Sequence, residues 1–254
     1  MTLRGLIQPD AGWLEQPTAR QVAWVGGAAL AGLAMYGFTV GFWRDPLMGV
    51  FVAVKLPLLI ALTLACNALL NGLLGILLGT GIGFRQSLHA LLTSFAVAAV
   101  ILGSLSPVTF LMACNAPPPD SPGARTAHAA YLVSHTLWIA FAGVAANLHL
   151  HRLLAGKSPN RTAATITLLA WLGGNAFLGA QFSWILRPFF GSPQLKVQFL
   201  RPEPFHGTFY EAVWRSLNMM TGGFGVVALS AVSLLILIPV LRAILPNQQP
   251  SIRP

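Results

Sequence analysis

The stretch Gln21–Trp43, QVAWVGGAALAGLAMYGFTVGFW, carries no charged residue and is closed by Arg44-Asp45-Pro46. A helix rises about 1.5 Å per residue and the hydrocarbon of a bilayer is ~30 Å thick, so a run of roughly 20 apolar residues is a spanning helix. This stretch meets that length, and its reading decides the fold. Working outward, Pro46–Phe84 is interrupted by a single charge, Lys55. It predicts a helix from about Leu56 to Leu78, with an interfacial lead-in from which Lys55 snorkels to the headgroups; a re-entrant hairpin over 46–84 is the alternative. Further spans are expected at Gln86–Met112, Thr126–Leu148, Thr162–Leu186 and Gly223–Leu241.

Composition agrees. The chain has 254 residues, of which 55% are hydrophobic and only 8% charged, with a mean hydropathy of +0.69. Soluble domains carry about 25% charged residues, and a soluble fold of this size needs more polar surface than this chain owns. The expected fold is an all-α polytopic transmembrane bundle of about six spans plus a short interfacial amphipathic helix. Residues 1–20 read as a cytoplasmic N-terminal segment, 21–245 as the transmembrane domain and 246–254 as a cytoplasmic tail. No cleavable signal peptide is evident, since Asp10 and Glu15 interrupt the first residues.

The net charge is +9, from Lys+Arg 15 against Asp+Glu 6. The cations are scattered singly between apolar runs with no nucleic-acid-binding motif, so they read as topology signals and partners of anionic headgroups. With six spans, Arg4, Arg20, Arg85, Arg152, Lys157, Arg161, Arg242 and Arg253 fall on one side, which places both termini in the cytoplasm, with the bacterial inner membrane as the expected location. Cys66 and Cys114 lie in apolar runs and do not form a disulfide framework.

The segment 187–220 is too polar to span and too aromatic to be a plain loop. Thr208 and Glu211 fit a capping box, and Glu211 and Arg215 are an i,i+4 pair, which predicts a short amphipathic helix broken from the last span at Gly222-Gly223. Just before it, Trp184 and Arg187 are spaced i,i+3, so the guanidinium reaches the indole face or a lipid phosphate. Trp184, Arg187, Arg201, Tyr210 and Trp214 are therefore the candidate surface for a partner or an anionic headgroup.

No Asp or Glu falls inside a span, and HExxH, GxSxG, Walker and dinucleotide motifs are absent. Ion-coupled pumps and intramembrane aspartyl proteases need such carboxylates, so neither is favoured. Asn67, Asn71, Asn175 and Gln181 are the candidate intramembrane polar residues; Asn67 and Asn71 share a helix face, suited to an interhelical hydrogen bond or a polar pathway. His135 and His149 are spaced by fourteen on one helix, as in membrane cytochromes of b type. With His89 as the only histidine of the third span, His89 with His149 is the one haem-ligand pair that can be completed. No His/Cys metal spacing is present. Gly37/Gly41, Gly75/Gly79/Gly83 and Gly179/Ser183 are small-residue ridges suited to helix packing or dimerisation.

Val54-Lys55-Leu56-Pro57-Leu58-Leu59, Phe84-Arg85-Gln86-Ser87-Leu88 and Leu102-Gly103-Ser104-Leu105-Ser106-Pro107 resemble bacterial multi-span proteins of the Yip1-like type. The segment Gln181–Pro193 resembles one found in uncharacterised bacterial membrane proteins. The Asp-Leu-Tyr-Gly-Pro signature of eukaryotic Yip1 members has no counterpart here. The resemblance implies a multi-span scaffold or adaptor without catalysis. The expected function is thus a non-catalytic scaffold, adaptor or assembly subunit whose partners are lipids and another membrane protein or itself; the alternatives are a passive transporter of small solutes or lipids and a b-haem redox subunit.

Overall fold

The computed structural model describes Leu6, residues 17–192 and residues 195–221. These are all-helical, without strands among the described residues. Among the described residues seven helices follow one another: α1 Ala19–Phe42, α2 Pro46–Leu77, α3 Phe84–Ser104, α4 Ser106–Asn115, α5 Ala124–Ala155, α6 Arg161–Leu186 and α7 Phe209–Thr221. Five of them, α1, α2, α3, α5 and α6, are long and apolar enough to cross a membrane. The chain is an integral membrane protein on that ground. The expected sixth span, Gly223–Leu241, lies outside the described residues.

Each start has a local cause. Thr18 caps α1 through a reciprocal box with Gln21, whose backbone N–H donates to Thr18 Oγ1 at 3.2 Å while its side chain accepts from Thr18 N at 2.9 Å. Asp45 caps α2 with Pro46 at its first turn, and Asn160 caps α6. Three boundaries differ from expectation. The helix α2 is one unbroken element from Pro46, with Pro57 inside it, so no interfacial lead-in precedes it. At 1.5 Å per residue, α2 and α5 reach about 48 Å each, longer than the ~30 Å hydrocarbon. The third span breaks at Leu105 and restarts as α4, because Pro107 in the first turn has no N–H to continue the ladder.

The glycine ridges divide between two uses. A Cβ on Gly37 would meet Val52 O at 2.6 Å, one on Gly41 would meet Met48 O at 2.5 Å, and one on Gly32 would overlap the Ala99 carbonyl. Glycine there lets α1 lie backbone to backbone on α2 and α3. The series Gly75/Gly79/Gly83 is not a ridge, since α2 ends at Leu77. Gly79, at φ +76°, is the left-handed residue of a helix stop: Thr80 N donates to Gly75 O and Gly79 N to Ile76 O, both at 3.1 Å. This is a Schellman closure.

The chain divides into two compact units, Met1–His206 and Gly207–Pro254. In the first, α1 packs on α2, α3 and α4; α3 also packs on α5, and α6 on α2 and α5. One core fills the half of the bundle around Leu91, Leu150, Leu154 and Trp171. Two smaller cores, around Tyr36, Met48 and Val52 and around Trp43, Ala113 and Tyr131, fill the other half and take in Phe189, Phe190 and Val197 from beyond α6. In the second unit, α7 begins with Glu211 N donating to Thr208 Oγ1 at 3.1 Å, and Glu211 meets Arg215 at 3.6 Å.

Candidate functional site

After α6 the chain packs back against the bundle through Phe189, Phe190 and Val197, and two isolated cations hold it there. Lys55 lies about 14 Å along α2 from Pro46 and is fully buried. Its ammonium donates to Pro188 O at 2.7 Å and lies 5.8 Å from the Phe189 ring centre and 5.0 Å from that of Phe199. Lys55 therefore does not snorkel to the headgroups. A carbonyl dipole and two ring faces replace water around it. Arg44, in the turn between α1 and α2, donates through Nε to Ser192 O at 3.1 Å and through Nη2 to Leu195 O at 3.0 Å. A Cβ on Gly191, at φ +70°, would sit 2.8 Å from Arg44 Cγ, so the residue type matches the close approach.

Behind this segment is a buried polar–aromatic cluster. Tyr36 Oη and His135 Nδ1 are 2.7 Å apart, and His135 also meets the edges of Tyr131 and Phe190. Tyr131 donates to Thr39 O, and the Thr39 and Thr109 hydroxyls are 2.7 Å apart. Trp43 Nε1 donates to Pro117 O at 3.0 Å while its ring stacks on His128. These bonds satisfy polar groups that lipid would leave unpaired. Sequence reasoning missed this cluster and both clasps. The only signal was Lys55, a lone charge inside an apolar run, which is a functional-site indication in itself.

Among the sequence-derived surface residues, Trp184 and Arg187 are in contact. The Arg187 guanidinium lies over Trp184, 3.1 Å from the ring centre, and Trp184 Nε1 donates to His206 O at 3.3 Å. Burial first, and then the charge of nearby Arg201, hold the Arg187 guanidinium below the ordinary arginine range. Tyr210 and Trp214 belong to α7 in the second unit, where both are partly exposed and burial raises the Tyr210 hydroxyl above its ordinary value.

The intramembrane amides separate. Asn67 and Asn71 are both buried in α2. Asn67 Nδ2 donates to Asn175 Oδ1 of α6 at 3.0 Å, and Trp171 Nε1 donates to the backbone carbonyl of Asn71 at 2.9 Å. Asn175 lines a cavity of about 270 Å³ with Thr63, Ser94, Asn147, Phe95 and Gly179, whereas Gln181, half-buried on α6, is not in that lining. His89 and His149 are both buried, on α3 and α5, which pack on each other. His149 lines a separate cleft of about 280 Å³ in which His89 takes no part. The spacing partner of His149, His135, is committed to Tyr36. Among the described residues no group of three His, Cys, Asp or Glu side chains is placed to hold a metal ion.

Comparison with family models, with curated proteins and with solved structures returns no match for this chain.

Proposed function

We propose that this chain is a non-catalytic scaffold or assembly subunit of a membrane complex, set in a bacterial inner membrane with both termini cytoplasmic. One observation carries the reading. Lys55, buried within α2, and Arg44, in the turn before it, bind the backbone carbonyls of Pro188, Ser192 and Leu195. A charge that serves a transported ion or a reaction needs access to it; these are spent on giving a connecting segment a fixed shape. Loops held on rigid elements are where proteins carry recognition. The absence of Asp and Glu from all five described spans supports the same reading, as does the Yip1-like resemblance. Arg20, Arg85, Arg152, Lys157 and Arg161 lie at one end of the alternating helices, which supports that end as cytoplasmic.

The test is the mass of the protein extracted gently from its own membrane. A partner chain or a defined oligomer above 27.0 kDa is expected, and its loss in Lys55→Met with helix content unchanged would assign it to the clasped segment. A solitary 27.0 kDa species overturns the proposal. The cavity at Asn147 and Asn175 favours one second reading, passive passage of a small solute or lipid; solute flux into vesicles that Asn175→Leu abolishes would support it.

A further inference from the structure

The end of α6 holds positive charge that no described residue satisfies. Arg187 Nε and Nη1 are buried and have no hydrogen-bond partner among the described residues. The guanidinium nevertheless lies over the Trp184 ring, 3.1 Å from its centre, and Trp184 is held by the His206 carbonyl. A guanidinium is charged at every physiological pH and can only donate, so buried donors without acceptors are costly. Arg201 adds a second positive charge, near enough for its field to lower the Arg187 guanidinium. No carboxylate among the described residues answers either. Glu203 sits by His206 at 4.0 Å, Glu211 by Arg215, and Asp45 caps α2. Arg187 directly follows the last residue of a span, which is the depth of lipid phosphates.

We infer that Trp184, Arg187 and Arg201 form a phosphate site filled by the headgroup of an anionic phospholipid. The planar fork of Arg187 suits two phosphate oxygens, Trp184 sets its orientation, and Arg201 supplies charge from the exposed side. Phosphate is favoured over a carboxylate peptide because the donors sit at headgroup depth, where phosphate is the anion in excess. The site does not depend on the assembly proposal, since it needs only this chain and the bilayer around it.

The experiment is native mass spectrometry of the full chain in detergent, titrated with phosphatidylglycerol, with phosphatidylcholine and with inorganic phosphate. One phosphatidylglycerol is expected to bind in preference to phosphatidylcholine, with a roughly tenfold or greater loss in Arg187→Gln, from removal of charge-assisted hydrogen bonds, and a smaller loss in Arg187→Lys. Arg201→Gln changes an exposed side chain, so it weakens binding without endangering the fold and decides the matter if Arg187→Gln does not fold. Equal retention of both lipids by wild type, or phosphatidylglycerol binding unchanged in both Gln variants, overturns the site. Saturable phosphate binding that needs Arg187, with no lipid preference, overturns the lipid source and leaves a soluble phosphate compound as the ligand. None of these outcomes bears on whether a partner chain co-purifies.

Discussion

Lys55 and His135 are the two residues whose surroundings are hardest to reconcile with a passive apolar bundle. A fully buried ammonium is tolerated only where its hydrogens find acceptors, and Lys55 has one backbone carbonyl and two ring faces. Replacing it with methionine keeps the volume and removes the donor. We expect the 188–200 stretch of Lys55→Met to become protease-sensitive while helix content by circular dichroism stays the same; an unchanged digestion pattern would dismiss the clasp. Tyr36 and His135 are a mutual pair, so Tyr36→Phe leaves a buried ring nitrogen without its partner. A loss of about 1–3 kcal/mol follows from such an orphaned group, to be read as a lower melting midpoint in detergent. Both effects belong to single side chains and should be independent, since neither residue hydrogen-bonds the other.

Among the elements, α1 is placed by glycine. Because a Cβ on Gly37 would lie 2.6 Å from the Val52 carbonyl, Gly37→Ala must push α1 away from α2, at a cost of about 1–3 kcal/mol by analogy with overpacked cores. On the same helix, a Cβ on Gly26 meets nothing within 4 Å, so Gly26→Ala is expected to be neutral or mildly stabilising through helix propensity. Equal melting midpoints for the two variants would refute this account of the α1–α2 contact. At the far end of α2 the requirement changes from space to backbone conformation. Gly79→Ala places a side chain at φ +76°, with a penalty of roughly 1–2 kcal/mol.

The whole bundle makes a prediction about sidedness. With Cys66 and Cys114 replaced by Ala, Leu47→Cys and Asp120→Cys should react with an impermeant maleimide from one face, and Arg85→Cys and Pro159→Cys from the other. Leu47 lies in the first turn of α2 and Arg85 beyond its other end, so labelling of both from a single face would mean that 46–84 turns back instead of crossing. The existence and approximate placement of the five described spans were legible in the sequence. Each depends on local facts: a run of apolar residues long enough for the hydrocarbon, charges that cannot stay inside it, and a cap such as Thr208, which accepts from a residue three positions on. The shared face of Asn67 and Asn71 and the reach of Arg187 to Trp184 are likewise helix periodicity. What only the tertiary structure decided is where the lone charges go. Lys55 meets Pro188 across 133 residues and Arg44 meets Leu195 across 151, and no periodicity links positions that far apart. Snorkelling and burial both satisfy an ammonium near a span end; the choice between them rests on whether another segment brings an acceptor into the bundle, and that is a property of packing alone.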